Sequence, residues 1–222
     1  MVSRMLDDFL GLVDGAVLQR SGGVFYSGRS AFSEARPVYL LGLNPGGDPR
    51  RMSGATIARH IADARARTKA DWSEYSDVSW DGSASGSAPI QRRVRHLLRN
   101  LGLDARSVPA SNVVFVRSVS ELDLRKEKKE LLRACWPVHE AVISRLGVRL
   151  VICMGRTAGD WACEQLGADT LEREFFEAND RGWRSVLARN PQGIRVATLT
   201  HPARAAWDVP ATDPSPLLKG LL

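Results

Sequence analysis

The chain has 222 residues and is 44% hydrophobic, which is enough apolar material to bury one complete core. It contains no run of 18 apolar residues and its N-terminus lacks a signal-peptide profile, so we expect neither a membrane-spanning helix nor a cleaved leader. Its three cysteines show no close spacing, which favours a reducing cytoplasm and argues against a thiolate metal site: Cys135, Cys153 and Cys163. We therefore expect a cytoplasmic protein with no metal and no other cofactor.

The charge balance is basic, with 31 Lys and Arg against 25 Asp and Glu, and the net charge of +6 is concentrated in clusters. These clusters lie at residues 50–51, 65–69, 92–99 and 125–133. Basic clusters suit a polyanionic partner, because neutralised phosphates release counterions. Arg50 and Arg51 stand beside a glycine-rich loop, where we expect phosphate contacts, whereas residues 125–133 alternate with Glu and indicate a solvated helix face.

Apolar periodicity and turn residues predict the following elements in chain order: a helix over 3–18, a strand over 38–43, a helix over 55–70, a loop over 71–89, a helix over 90–101, a strand over 112–116, a helix over 124–146 interrupted at Pro137, a strand over 148–154, a helix over 157–166, a strand over 194–199 and an irregular tail over 208–222. Strands that alternate with helices predict an α/β fold. We expect one domain over residues 1–222, built as three α/β/α layers around a mostly parallel four-stranded sheet. Residues 50–89 are expected to form a long insertion loop.

Two short polar segments directly follow apolar strands. The first, Asn-Pro-Gly-Gly, begins at Asn44, and the second, His-Pro-Ala-Arg, begins at His201. In open α/β sheets, ligands bind beyond the carboxyl ends of the strands. An amide or imidazole there can hold a water or a base, although each residue in isolation could equally be a turn or capping residue.

Four segments, in order, resemble the uracil-DNA glycosylase superfamily. They are residues 42–46 (Gly-Leu-Asn-Pro-Gly), 111–114 (Ser-Asn-Val-Val), 135–137 (Cys-Trp-Pro) with 150–155 (Leu-Val-Ile-Cys-Met-Gly), and 200–206 (Thr-His-Pro-Ala-Arg-Ala-Ala). The Asn-Pro-Gly form of the first motif is similar to that of the mismatch-specific and single-strand-selective branches. Only Cys135 matches a ligand position of the iron–sulfur branches, so we expect no cluster.

The resemblance implies a role for each motif residue. Asn44 would orient the attacking water, since an amide cannot act as a base, and His201 would donate a hydrogen bond to the departing pyrimidine. Asn112 would read the edge of the flipped base, yet the residue pattern alone places it at the start of a strand rather than near the end. Further contacts to the base are expected from Gly42, Leu43 and Pro45.

Gly46 and Gly47 follow Pro45, where the stringent uracil branch carries a bulky aromatic residue. We expect an open wall at C5 that accepts pyrimidines larger than uracil. The family's stacking Phe has no obvious counterpart, so Tyr75 or Trp80 is expected to replace it. Phosphate contacts are expected from Arg50, Arg51, Ser87, Pro202, Ala203 and Arg204.

These inferences together predict a monofunctional DNA glycosylase, because no Lys stands in the catalytic motifs to form a Schiff base. Its partner would be single- or double-stranded DNA, and the protein is expected to be a monomer. Its use would be base-excision repair or defence against phage DNA carrying hypermodified bases. Two alternatives stay open: a module of the same fold that binds DNA or a modified base without cleaving it, and an unrelated nucleotide-binding α/β enzyme.

Overall fold

The computed structural model describes residues 4–80 and 82–222. Its strands are β1 Val38–Gly42, β2 Ala110–Asn112, β3 Leu150–Met154, β4 Thr170–Phe176, β5 Arg184–Arg189 and β6 Arg195–Leu199. Its helices are α1 Arg4–Leu10, α2 Ile57–Ala66, α3 Glu74–Asp77, α4 Pro89–Asn100, α5 Glu121–Leu124, α6 Lys128–Arg145, α7 Arg156–Leu166 and α8 Ser215–Leu218. Short 3-10 turns cover Gly15–Val17 and Arg29–Phe32.

The strands form one sheet in the order β2-β1-β3-β6-β5-β4. The first four of these are parallel neighbours, and β5 and β4 continue the sheet in antiparallel pairing. The expected four-stranded sheet is therefore wrong in its strand number. β4 escapes prediction because nearly all its residues are exposed, so no buried alternation marks it.

Side chains from successive residues of the parallel strands enter two separate cores, which confirms the three-layer α/β/α class. One core receives Tyr39 and Leu41 and lies under α1, α2, α6 and α7. The other receives Leu40 and Ile152 and lies under α4 and α8. The site-bearing strands are thus covered on both faces and open only at their ends.

Four expectations about helices and loops need correction. The first helix ends at Leu10 rather than residue 18. α2 confirms the helix expected over 55–70, and together with α3 it shows that residues 50–89 do not form one long loop. α6 runs through Pro137 without a break, because this proline lies on the exposed face while the buried residues beside it pack in the core. The tail over 208–222 includes the short helix α8.

The parallel register places the polar segments at one edge. Gly42 of β1 pairs with Asn112, the last residue of β2, so Asn112 stands at the carboxyl end and the pattern-based placement is wrong. From β1 the chain crosses to β2 on one side, whereas β3 leads to β6 on the other. The carboxyl ends of β1 and β3 therefore border the crevice where open α/β sheets bind ligands.

Candidate active site

The Asn112 amide lies directly over Gly42. A β-carbon on Gly42 would overlap Asn112 Oδ1, so only glycine leaves room for this side chain. Asn112 is 4% exposed, and its Nδ2 has no hydrogen-bond partner among the described residues. A buried amide donor without a partner is costly, and a ligand acceptor in the crevice would satisfy it.

Tyr26 supplies an aromatic side chain next to Asn112. Burial and the nearby Glu74 carboxylate raise the pKa of Tyr26 to about 12. The Tyr26 ring lies 6.0 Å from that of Tyr75, which in turn lies 5.7 Å from Trp80. Tyr26 is the half-buried member of this row that adjoins the Asn112 amide.

The expectation that Tyr75 stacks on a base is corrected by its burial. Tyr75 is 1% exposed and belongs to the core around α4, so its ring packs against Tyr26 and cannot itself contact a base. Trp80 is partly buried and donates from Nε1 to Glu74 Oε2 at 3.1 Å. These contacts turn the Trp80 indole toward α3.

The Asn44 side chain is held by its nitrogen. Nδ2 donates to Ser118 Oγ at 2.8 Å, Pro45 O at 3.0 Å and Val116 O at 3.3 Å. An amide nitrogen has two hydrogens, so these acceptors use its donor capacity fully. Oδ1 receives no hydrogen bond from any residue that the structure describes, which leaves it as an acceptor for a water.

Gly46 and Gly47 differ in the space around them. A β-carbon on Gly46 would meet nothing within 4 Å, so the wall beyond Pro45 is open. Gly47 has a φ of 107°, which side chains rarely adopt, and a β-carbon there would approach Met52 Sδ at 3.2 Å. The guanidinium of Arg117 donates to the Gly46 carbonyl oxygen and fixes this part of the loop.

His201 stands at the end of β6 against Gly155, with 3.5 Å between its Cδ2 and the β-carbon position of that glycine. Its Nδ1 accepts from the Ala203 backbone N–H at 3.1 Å, so in the neutral ring Nε2 carries the proton and can donate. Burial and the charge of Arg204 lower the pKa of His201, which favours this neutral form.

Three contacts fix the loop that carries His201. Trp207 is fully buried and donates from Nε1 to Thr200 O at 3.0 Å. Arg93 of α4 donates to Pro202 O at 2.5 Å. Arg181, on the β4–β5 turn, donates to Arg204 O at 2.8 Å. The second motif is therefore held by α4, by the β4–β5 turn and by Trp207 of its own loop.

The expected phosphate-contact residues differ in exposure. The side chains of Arg50 and Arg51 are 91% and 88% exposed and pair only loosely with Asp48, at 3.6 and 3.9 Å. Ala203 and Arg204 are exposed, whereas Pro202 is buried. Ser87 Oγ donates to Ala84 O at 2.6 Å, so its hydroxyl hydrogen is already used.

At the carboxyl edge of the sheet, Asn44 presents a free amide oxygen, Asn112 presents a buried amide donor and His201 presents a neutral imidazole donor. Leu43 and Pro45 continue the β1 chain into this edge, where the Leu43 and Pro45 carbonyls accept from the segment after β2. A model of the uracil DNA glycosylase superfamily matches residues 30–220 of the sequence.

The chain belongs to the uracil DNA glycosylase superfamily.

Members of this superfamily are DNA glycosylases that act on DNA. A comparison of the sequence with curated proteins found no match. No helix in the described part of the chain is both long and apolar enough to cross a membrane. Across residues 4–80 and 82–222, no group of three or more His, Cys, Asp or Glu side chains is arranged to hold a metal ion.

In this superfamily member, sequence reasoning missed Tyr26, Ser118 and Trp207. Tyr26 reaches Asn112 because residues 21–27 run beside the free edge of β2, through bridges such as Phe25 to Ser111. No local sequence pattern predicts the pairing of residues 21–27 with β2. The signal that could have pointed to Trp207 is its position directly after the second motif, six residues after His201.

Proposed function

We propose that the chain is a monofunctional DNA glycosylase that hydrolyses the N-glycosidic bond of a flipped-out uracil-like or 5-substituted pyrimidine and leaves an abasic site. The observation that carries this proposal is the convergence of three groups on one sheet edge: the free Asn44 Oδ1, the unpartnered Asn112 Nδ2 and the Nε2–H of His201. The superfamily membership supports the reaction class. Cytoplasmic location, the monomeric state and the absence of a cofactor stay predictions.

Asn44 would hold the attacking water. Because Nδ2 is occupied by its three acceptors, only Oδ1 can accept a hydrogen from water. The amide cannot take a proton, so its contribution is to orient the water below the sugar as the bond to the base lengthens. The proton leaves to solvent after the water oxygen has bonded to the anomeric carbon.

Asn112 and His201 would stabilise the departing base. The base leaves with the bonding electrons and carries negative charge on its carbonyl oxygens, which hydrogen-bond donors stabilise. His201 donates from Nε2 as a neutral ring, and Asn112 donates from Nδ2 in a place shielded from water. Tyr26 would provide the aromatic wall beside the base, in place of the buried Tyr75.

The base pocket would accept substituents at C5. This part of the proposal rests on the open space at Gly46, where a side chain would otherwise stand. Removal of deaminated bases and removal of hypermodified bases from phage DNA both use this chemistry, and they differ in the substituent that the pocket must admit.

A base-release assay tests the proposed function. Oligonucleotides that carry uracil, thymine, 5-hydroxymethyluracil or a glycosylated pyrimidine are incubated with the protein, as single strands and as duplexes. Released base and alkali-labile abasic sites are then quantified. We expect release of uracil and of at least one 5-substituted base; strict uracil selectivity would refute the open pocket, and tight binding without release would favour the binding module.

A further inference from the structure

Residues 116–118, which follow β2, are joined by several hydrogen bonds to residues 44–46 of the first motif. Val116 O and Ser118 Oγ accept from Asn44 Nδ2, at 3.3 and 2.8 Å. The Ser118 backbone N–H donates to Pro45 O at 3.2 Å, and the guanidinium of Arg117 donates to Gly46 O. Three consecutive residues of one segment therefore fix three consecutive residues of the other.

Ser118 also has a defined hydrogen-bond direction. Its Oγ donates to Ser120 O at 2.8 Å, so its single hydrogen is used and the oxygen can only accept from Asn44. Ser118 is 5% exposed, so water does not readily replace either partner. This chain of bonds determines which end of the Asn44 amide faces the protein.

We propose that Ser118 is a positioning residue that orients Asn44 for water attack, and that its contacts make this site specific for Asn over Asp. The inference rests on the proposed function, in which Asn44 Oδ1 holds the water. Ser118 would contact neither the base nor the sugar, and it would act through the Asn44 amide that it fixes.

The exclusion of Asp follows from the acceptors around Asn44 Nδ2. In an Asn44→Asp variant, a carboxylate oxygen in that place would face the carbonyl oxygens of Pro45 and Val116 and a hydroxyl whose hydrogen is given to Ser120. Oxygen opposite oxygen is repulsive without a hydrogen between them, so the carboxylate would turn away or displace the loop. Asp would therefore lose the position that Asn holds.

Single-turnover kinetics on a uracil oligonucleotide test this role. We expect Ser118→Ala to lower the maximal rate about 10-fold or more while the dissociation constant for DNA stays within about 2-fold, since small misplacements of a reacting group are costly. Ser118→Cys, with a weaker acceptor of similar shape, should give an intermediate rate. Ser107→Ala serves as the matched control with unchanged rate, because Ser107 Oγ also donates to a backbone carbonyl, that of Asp104 at 2.8 Å, but lies before β2 at the amino edge of the sheet.

The specificity for Asn is tested by two variants at one position. We expect Asn44→Asp to be no more than about threefold faster than Asn44→Ala, because the carboxylate cannot occupy the amide's place. Wild-type rates in Asn44→Asp or in Ser118→Ala would overturn the inference. Parallel losses of rate and DNA affinity in Ser118→Ala would also overturn it, by indicating a merely structural role.

A measurement without substrate separates this inference from the proposed function. The side-chain NH2 signal of Asn44, assigned by its loss in Asn44→Ala, should exchange slowly with solvent in the wild type and in Ser107→Ala, and faster in Ser118→Ala. If no oligonucleotide is cleaved by the wild type, the proposed function fails while this exchange pattern still decides whether Ser118 holds Asn44. Equal exchange in all three proteins would overturn the positioning role.

Discussion

Gly42 has no side chain at the point where Asn112 needs room, and this makes it a sensitive position. A methyl group there would overlap Asn112 Oδ1 and push the amide out of the crevice, while the strand itself could still pair. We expect Gly42→Ala to lower the single-turnover rate on uracil DNA about 100-fold, the range found when one stabilising donor is removed.

The matched control for this substitution is Gly54→Ala, where an added β-carbon meets nothing within 4 Å. The rates are read together with the thermal midpoint of each protein. A Gly42→Ala protein that keeps the wild-type rate would contradict the placement of Asn112 at the base.

Gly46 is the residue that tests the open C5 wall. Because its β-carbon position is empty, Gly46→Tyr should fold and should narrow the pocket beyond Pro45. We expect the ratio of thymine to uracil excision to fall at least about 10-fold, since a bulky ring would fill the space that the 5-substituent needs.

The comparison protein is Gly54→Tyr, which adds the same side chain at another open glycine. Competition assays with both bases in one reaction give the ratio directly. An unchanged ratio in Gly46→Tyr would show that the 5-substituent points elsewhere.

Among the single elements, α6 carries a neutral histidine that lies against the backbone of Asn112 and Val113, at the end of β2. His139 is fully buried and its Nδ1 lies 2.8 Å from the Tyr39 hydroxyl. Burial lowers the pKa of His139 to about 3, against the opposing effect of the Val113 and Asn112 backbone. The folded protein therefore resists protonation that the unfolded chain accepts near pH 6.5.

This buried histidine predicts acid destabilisation. Below pH 6.5 the unfolded state binds a proton at His139 that the folded state does not bind. The free energy of unfolding therefore falls as the pH is lowered from 6.5 to about 3. Between pH 7 and pH 4 the expected loss from His139 is roughly 3–4 kcal/mol, since one pKa unit corresponds to about 1.4 kcal/mol. Denaturant unfolding from pH 7 to pH 4 should show a shallower decline in the double variant Tyr39→Phe, His139→Phe.

Two comparisons sharpen that measurement. Tyr39→Phe alone keeps the imidazole, so the free energy of unfolding should fall with pH as steeply as in the wild type. Burial and Arg67 lower the pKa of His60 to about 4, so a smaller decline with pH remains in every variant. If the double variant declines as steeply as the wild type, His139 is not the group that the unfolded chain titrates.

The elements themselves show where sequence reasoning succeeds. β1 and β3 could be predicted because each is a fully buried apolar run, and Asn44 was found because it directly follows such a run. The β4–β5 hairpin could not, since it is held at an edge by ion pairs such as Glu172 with Arg189 and Arg195, at 2.6 and 2.7 Å. Charged cross-strand pairs on exposed residues leave no apolar period.

For the whole molecule, the net charge of +6 is expected to act through the side chains at the carboxyl edge of the sheet. Arg50 and Arg51 are almost fully exposed there. We expect the double variant Arg50→Ala, Arg51→Ala to weaken DNA binding similarly for all sequences and to reduce the salt slope of the binding constant by about 2, roughly one for each phosphate contact.

Arg149→Ala is the matched control for charge. Arg149 is exposed and immediately precedes β3, so it lies at the opposite, amino edge of the sheet. Fluorescence anisotropy across a salt series compares the three proteins. Equal salt slopes in all of them would place the DNA away from the glycine-rich loop.

The complete site could be predicted only in part, because it is assembled from distant segments. Asn44 and His201 belong to motifs that can be read locally, but Tyr26 and Ser118 reach the site through pairing along and beyond β2. The pattern around Asn112 misplaces it, since the apolar residues after it lie buried outside the strand. Local periodicity records burial, and burial alone does not mark where a strand ends.

The proposed function requires Asn44 and His201 to act together in breaking the glycosidic bond. It is tested by single-turnover base release from a uracil oligonucleotide by the wild type, Asn44→Ala and His201→Ala, with DNA affinity measured in parallel. We expect abasic sites from the wild type, a loss of rate of about 100-fold or more in each variant, and affinity within a few-fold of the wild type. Undiminished rates in both variants, or no base release by the wild type from any oligonucleotide that it binds, would contradict the proposed function.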